Sequence, residues 1–426
     1  MSQVLCIRGG RPLRGSIVAQ GSKNATLPIM AAALLLKGGK LRLKRVPNLL
    51  DIATMADLLK YLGARVDFDN HEMSIEVPEE ISWETPPSLV RKMRASSLVL
   101  GPLLSRCGKA VLPLPGGCAI GSRPIDLHLK GLSKMGASIE VAHGAVTAEA
   151  SELRGTRIYL DFPSVGATEN VLMAAVFAKG ETLIENAARE PEIANLAQAL
   201  REMGADISGE GTGIIRIRGV DALRDAEVEI IPDRIEASTY LLAGVITGGE
   251  VTVRGVILEH LDALLAKLEE AGATVVRNEA EVKACAKNRL HSINVKTLPY
   301  PGFPTDLQPQ MMAVLSLASG TSVIREEIFE ARFLHVGDLK RMGAAIEVQG
   351  NMAIVKGCPE LMGCDVKATD LRAGAALILA GLAAKGETRV HALQHIWRGY
   401  EQIEEKIASL GASLNLAEMA EEEVKW

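Results

Sequence analysis

The stretch Leu114-Pro115-Gly116-Gly117-Cys118-Ala119-Ile120-Gly121-Ser122-Arg123-Pro124 sets one thiol among glycine pivots, five residues before an arginine. Glycines let backbone approach a ligand closely. A thiol held there can donate a proton or act as a nucleophile, and neighbouring cations tune which. A lone cysteine is more commonly an inert small hydrophobe, so its place in the chain decides its meaning. A second set of polar residues opens segments that are otherwise apolar: Asn24, Arg94, Arg234, Asp306 and Arg372, with Gly166 at the sixth equivalent position and Lys23 and Asp370 alongside. Arg123, Glu190, Arg332 and Arg398 recur near the starts of more amphipathic segments. If those segments are helices, their first turns carry partial positive charge and free N–H groups, and converging ones make an anion site. Capping and surface charge account for Asp306 or Glu190. They account badly for arginines, because a cation at a helix start is unfavourable unless an anion offsets it.

The elements that position these residues come from a repeat. Leu/Ile-x-x-Leu/Met/Ala-Gly-Ala followed by an apolar strand recurs with its glycine at Gly63, Gly136, Gly204, Gly272, Gly343 and Gly411, at intervals of 73, 68, 68, 71 and 68 residues. That regularity marks an internal repeat. A second glycine landmark ends an apolar helix upstream of each, at Gly39, Gly108, Gly180, Gly249, Gly320 and Gly386. Each repeat therefore reads as a nearly all-apolar helix, a glycine stop, a strand, an amphipathic helix ending at Gly-Ala, then strands. Asn24–Leu36, Val171–Ala178 and Ala373–Ala384 are too apolar all round to be anything but buried, whereas Leu258–Ala271 and Tyr400–Leu410 mix charge with apolar faces and lie nearer solvent. The second repeat has the widest gap between its landmarks, 28 residues, and the excess falls in the Cys118 loop. A repeat protein that inserts a thiol-bearing glycine loop in one copy has a functional reason to do so.

Composition narrows the class. A chain of 426 residues exceeds one ordinary core. With 48% hydrophobic and 23% charged residues it is a packed globular protein. A net charge of -5 and 3% aromatics offer neither a basic stripe nor a stacking platform for nucleic acid. No apolar run is long enough to span a bilayer, and the N-terminus lacks the apolar core of a signal peptide. The six cysteines and eight histidines show no metal-ligand spacing. A reduced cytoplasmic setting without metal or cofactor is the expectation. Gly209-Glu210-Gly211-Thr212-Gly213 reads as a hairpin turn and Gly21-Ser22-Lys23-Asn24 lacks the P-loop pattern. The acidic tail from Glu418 to Trp426 reads as solvated.

Seven stretches carry a resemblance. Gly21-Ser22-Lys23-Asn24-Ala25, Pro115-Gly116-Gly117-Cys118, Arg123-Pro124-Ile125-Asp126-Leu127-His128, Ser164-Val165-Gly166-Ala167-Thr168, Pro304-Thr305-Asp306, Asp370-Leu371-Arg372 and Arg398-Gly399-Tyr400-Glu401 resemble the motifs of the enolpyruvyl transferases, and specifically the UDP-N-acetylglucosamine 1-carboxyvinyltransferases. The resemblance runs over essentially the whole chain, and the thiol loop separates it from the related enolpyruvylshikimate phosphate synthases. It implies an α/β fold: a two-domain inside-out α/β barrel of six βαβαββ repeats, three per domain, with a ligand cleft between the domains. Residues 21–231 would form the first domain with the Cys118 loop, and residues 1–20 with 232–426 the second. The implied partners are the small molecules phosphoenolpyruvate and UDP-N-acetylglucosamine, joined as the first committed step of peptidoglycan synthesis. The family is the target of fosfomycin.

The resemblance also assigns roles. Cys118 is implied as the general acid, able to form a covalent phospholactoyl adduct, and Asp306 as the carboxylate near the attacking hydroxyl. Lys23, Arg123 and Arg398 match positions around the phosphate, and Arg332 and Arg372 positions near the substrate carboxylate. Arg94, the run Arg123, Pro124, Ile125, Asp126 and Leu127, together with Asp306 and Ile328, match positions that hold the UDP-sugar. Asn24 lies beside the sugar, and Ser164, Val165 and Gly166 belong to the substrate-binding set. Guanidinium groups suit both anions by bidentate contact. Phe162, Ala331 and Trp397 depart from the family's lysine, asparagine and aspartate, the last two flanking Arg332 and Arg398. A non-catalytic regulator that binds UDP-sugar is the alternative from another class, and a sister transferase for shikimate phosphate a third; the set Lys23, Cys118, Asp306 and Arg398 favours catalysis.

Overall fold

The six Gly-Ala signals end six helices in the same way. Gly63, Gly136, Gly204, Gly272, Gly343 and Gly411 have φ of 112, 101, 108, 93, 98 and 95°, a conformation that side chains disfavour. At the first, the Gly63 N–H donates to the Lys60 carbonyl and the Ala64 N–H to the Leu59 carbonyl. This is a Schellman closure, and the same pair of bonds recurs at the other five. The alanine that follows is buried after each of the first five glycines.

The computed structural model describes residues 2–114 and 125–419. These form two compact units, Gly21–Ile231 and the residues up to Gln20 with those from Pro232 onward. Each unit has its own hydrophobic core. In each, the apolar helices lie inside and the sheets outside, which is the inside-out arrangement. Helix Arg234–Ile246 is buried from Ile235 to Val245, and helix Leu371–Ala383 from Arg372 to Leu382. The strands alternate: in Gly39–Lys44, Leu41 and Leu43 face the core while Arg42 and Lys44 face water, as expected of sheets wet on one side.

One sheet plan serves nearly every repeat. The strand after the buried helix pairs in parallel with an edge strand from the preceding repeat, and antiparallel with a hairpin from its own. In the first unit, Gly39–Lys44 takes Ala226–Glu229 as that parallel edge, so the third repeat closes onto the first. The second unit closes likewise through the chain's first two strands, which lie in different sheets. Arg14–Val18 is the parallel edge beside Glu250–Arg254, and Ser2–Arg8 lies between Glu387–His391 and Ser413–Met419, Cys6 opposite both Arg389 and Asn415. Each unit is a closed ring of three repeats.

Several boundaries differ from the sequence reading. At Gly38-Gly39 and Gly248-Gly249 the first glycine takes the left-handed conformation, at φ 66° in both, and the second already belongs to the strand side. The helix expected over Tyr400–Leu410 runs from Ile403 to Ser409, because Gln402 sits at φ 47° and interrupts it. The helix expected over Leu258–Ala271 is a short 3-10 turn, Leu258–His260, followed by Asp262–Glu270. Glu418 lies in strand Ser413–Met419 opposite Gln3, within a sheet and not in a tail, and the rest of the expected tail lies outside the described residues. The segment Gly209–Gly213 joins Asp206–Ser208 to Ile214–Arg218 as the expected hairpin turn.

Candidate active site

Four of the six buried helices start on a side-chain cap. Ser22, Ser164, Asp233 and Asp370 each accept from N–H groups in the first turn, a contribution of about 1 kcal/mol apiece. The predicted positions follow at once: Lys23 and Asn24, Val165 and Gly166, Arg234, and Arg372 are first or second residues of these helices. Arg94 and Asp306 instead lie in 3-10 turns, Arg94–Val99 and Thr305–Leu307, that lead into the other two. The caps place an acid directly before Arg234, at Asp233, and two residues before Arg372, at Asp370, which offsets part of the charge conflict that the sequence raised.

In the unit that contains residues 232 to 419, three predicted residues meet. Asp306 joins Arg332 Nη2 through Oδ1 at 3.0 Å and Arg372 Nη2 through Oδ2 at 2.8 Å. The two guanidinium side chains are 2% and 4% exposed and the carboxylate 26%, so both cations are buried behind an acid that solvent still reaches. Arg372 also donates to the Tyr400 hydroxyl at 3.3 Å, which Gln310 Nε2 and Thr239 Oγ1 contact at 3.2 and 3.0 Å. Burial works against the Arg372 charge, but Asp306, Tyr400 and Asp233 outweigh it and hold its pKa above the ordinary arginine value. The Arg332 Nε is buried with no hydrogen-bond partner among the described residues.

Arg398 lies on the turn before helix Ile403–Ser409, half-buried. Packing fixes that turn. A Cβ on Gly399 would come within 2.6 Å of Leu371, the residue before Arg372, and one on Gly374 within 2.4 Å of Ile396. Gln20 adds a clamp: its amide donates to the Gly399 carbonyl at 3.3 Å and accepts from the Glu401 N–H at 3.2 Å. Its own N–H donates to Glu236, fully buried, which also pairs with Lys406 at 2.6 Å. Ile328 is half-buried on the loop before Arg332, its N–H donated to Glu326.

In the unit Gly21–Ile231, Lys23 Nζ lies 3.3 Å from Asp51 in the first turn of helix Leu50–Tyr61, their side chains 12% and 6% exposed. Asn24 follows, half-buried. A second cluster surrounds Gly166. His128 packs where a Cβ on Gly166 would be 3.0 Å from its ring, and its Nδ1 meets Asn170 Nδ2 at 2.8 Å. Asn170 also donates to the Ser97 carbonyl, three residues after Arg94. Burial and then the Arg94 charge push the His128 pKa down to about 4, so the ring is neutral here. Ile125 is buried, Leu127 half-buried and Asp126 exposed, all at the start of helix Asp126–Lys134.

Cys118, Arg123 and Pro124 lie outside the described residues. The sequence reading did not single out Asp51, Tyr400 or Asn170 as site residues. Tyr400 and His128 were inside quoted motifs, and an acid opening an apolar helix was the available signal for Asp51. Phe162 is exposed, and Ala331 and Trp397 are half-buried. Among the described residues no group of histidine, cysteine and acidic side chains could hold a metal ion.

Comparison with known proteins places this geometry. The family model of EPSP synthase (3-phosphoshikimate 1-carboxyvinyltransferase) matches residues 7–407. UDP-N-acetylglucosamine 1-carboxyvinyltransferase 2 of Carboxydothermus hydrogenoformans is 55% identical over 410 residues, 96% of this chain and 98% of that one. UDP-N-acetylglucosamine 1-carboxyvinyltransferase 1 of Halalkalibacterium halodurans is 50% identical over 422 residues, 99% of this chain and 96% of its own. Among solved structures, the enolpyruvyl transferase NikO from Streptomyces tendae superposes with a TM-score of 0.89 at 26% identity, covering 97% of this chain and 99% of NikO. The sequence and the fold agree, and the chain belongs to the EPSP synthase family of enolpyruvyl transferases.

Proposed function

We infer that this chain transfers the enolpyruvyl group of phosphoenolpyruvate to the 3-hydroxyl of UDP-N-acetylglucosamine and releases phosphate. The names of relatives 50–55% identical over nearly the whole chain support that pair of substrates over shikimate phosphate. The observation that carries the chemistry is the Arg332–Asp306–Arg372 bridge: two buried cations facing one partly open carboxylate. A ligand carboxylate that takes over the guanidinium groups frees Asp306 to accept a proton from the sugar hydroxyl. The unpartnered Arg332 Nε supplies a further donor for such a ligand.

The reaction then divides among named groups. The sugar oxygen adds to C2 of phosphoenolpyruvate as Asp306 takes its proton and Cys118 delivers one to C3. Removal of a C3 proton from the resulting ketal expels phosphate and restores the vinyl ether. Lys23, Arg123 and Arg398 hold the phosphate, and Arg332 and Arg372 the carboxylate. Arg94, Asn24, Arg123–Leu127, Ser164–Gly166 and Ile328 hold the UDP-sugar. This is the committed step of peptidoglycan synthesis, with soluble substrates and a cytoplasmic setting. Among the described residues no helix is long and apolar enough to cross a membrane.

The test is phosphate release from phosphoenolpyruvate with and without UDP-N-acetylglucosamine. Release that requires the UDP-sugar is the expected result. Tight UDP-sugar binding without release would instead make the chain a regulator, and release with shikimate 3-phosphate would make it the sister enzyme.

A further inference from the structure

Glu326 is a buried carboxylate that the reaction above does not use, and it is 2% exposed. It follows strand Thr321–Arg325 directly, and its two oxygens gather four donors from three segments. Oε1 accepts from Thr297 Oγ1 at 2.8 Å and from the N–H groups of Ile328 and Phe329 at 2.9 and 3.2 Å. Oε2 accepts from Thr305 Oγ1 at 3.0 Å. Thr297, fully buried, closes the set by accepting the Glu327 N–H at 3.0 Å. The donors are not placed at random. Thr305 immediately precedes Asp306 and opens the 3-10 turn whose cap position is Pro304, which gives no side-chain cap. Ile328 and Phe329 start the loop that ends in Arg332, and the Arg332 guanidinium lies 5.6 Å from the Phe329 ring centre.

We propose that Glu326 is a positioning residue for the UDP-sugar hydroxyl, holding Asp306 and Ile328 in register from one buried carboxylate. The proposal rests on the roles given to Asp306 and Ile328 above. Asp306 reaches its two arginines from a short turn with no cap of its own, and Ile328 lies on a loop outside any helix or strand. Gln310 Nε2 anchors the Asp306 carbonyl at 3.0 Å, and Glu326 adds the link that ties the Asp306 turn to the Ile328 loop. A carboxylate with every oxygen engaged is rigid, since each bond it could lose would leave a buried polar group unmatched. A displacement of about 1 Å at a reacting group costs on the order of 100-fold in rate, so a small release of Thr305 is enough to be seen.

The experiment compares wild type, Glu326→Ala, Glu326→Gln and Thr305→Val in kcat, in KM for each substrate and in Tm. Glutamine keeps the oxygen that serves Thr297, Ile328 and Phe329, and the Thr305 hydroxyl can rotate to accept from its amide. Glu326→Ala is expected to lower kcat about 10- to 100-fold and raise the UDP-N-acetylglucosamine KM about 10-fold, with the phosphoenolpyruvate KM within about threefold. Glu326→Gln is expected to recover both to within about threefold. Thr305→Val cuts a single link at nearly constant volume, and it carries the test if the alanine variant does not fold. Unchanged kcat and UDP-sugar KM in the alanine and valine variants, whatever their Tm, would overturn the proposal while an active wild type keeps the functional reading. Equal rises in both KM values would also overturn it, because that is general loosening. A wild type that releases no phosphate with UDP-N-acetylglucosamine would remove the functional reading and this one together.

Discussion

Replacing Asp306 by asparagine strands charge where it is hard to solvate. Asp306 holds Arg332 at 3.0 Å and Arg372 at 2.8 Å, with the guanidinium side chains 2% and 4% exposed. Asparagine keeps one acceptor oxygen, so one guanidinium meets an amide N–H2 instead of an oxygen. Removing one partner of a buried pair costs about 3–5 kcal/mol, and water reaching the Asp306 end brings this to about 2–3 kcal/mol. For a unit of this size that lowers Tm by about 4–12 °C. Calorimetry of the ligand-free protein reads it directly. Arg372→Met in the Asp306→Asn background removes the stranded cation, so the double variant should lose about 1–3 kcal/mol less than the sum of the singles. Turnover should fall about 100- to 10,000-fold in Asp306→Asn if the carboxylate is the base. A Tm within about 1 °C of wild type together with additive singles would refute the buried-bridge argument, and near-normal turnover would remove Asp306 from the proton path.

Three further outcomes follow from other groups. Cys118→Ala should abolish turnover while Cys118→Asp, which keeps a proton donor, retains some; an epoxide phosphonate such as fosfomycin should label the wild type at Cys118, and a label mapped to Cys107 or Cys285 would contradict the role. His128 is held near 4 by burial and Arg94, and His335 near 4 by burial, with Asp370 opposing and Arg332 assisting. Both rings stay neutral in the fold but protonate in the unfolded chain below about 6.5, so stability falls as pH drops from about 6.5 to 4, by about 3 kcal/mol per ring. Melting curves across that window should flatten in His335→Gln, and a variant profile parallel to wild type would speak against it. Burial, then Glu192 and Glu190, raises the Glu169 carboxyl well above its ordinary value. The native protein therefore binds the Glu169 proton more tightly, and stability declines as pH rises; Glu169→Gln should raise Tm at pH 8 and give no gain at pH 4.

How much of this was legible depends on the range of the interaction. The Gly-Ala stops were readable because a left-handed residue closing a helix is a local demand that glycine meets. Where two glycines stood together, at Gly38-Gly39 and Gly248-Gly249, sequence could not say which one turned. The helix start at Ile403 was missed for a related reason: Gln402 adopts a left-handed conformation that no glycine or asparagine announces. In the site, Asp306 and Arg372 were identifiable singly, since polar residues opening apolar segments are conspicuous, and Arg332 by its place near the start of an amphipathic one. Their common bridge was not, because it joins positions 26 and 66 residues apart. Glu326 was invisible on the same ground, and Asp51, although an acid opening a helix, gave no sign of Lys23 as its partner. An acid looks solvated until its distant donors are known.

The closing pair of N-terminal strands has a consequence for the order in which the chain can fold during synthesis. Among the described residues, Gly21–Ile231 hold every strand of their own ring, so that unit can complete as soon as Ile231 has emerged. The other ring cannot. Ser2–Arg8 pairs with Glu387–His391 and Ser413–Met419, which the ribosome makes about 20–80 s later at ordinary elongation rates. Through that interval the first strand is a bare template with both edges open, the condition that invites pairing with another chain. Charge helps to restrain it: Arg8 ends that strand, Arg11 lies on the connection that follows, and Arg14 opens Arg14–Val18. Pulse-labelled nascent chains should show protease-resistant Gly21–Ile231 well before the first strand is protected.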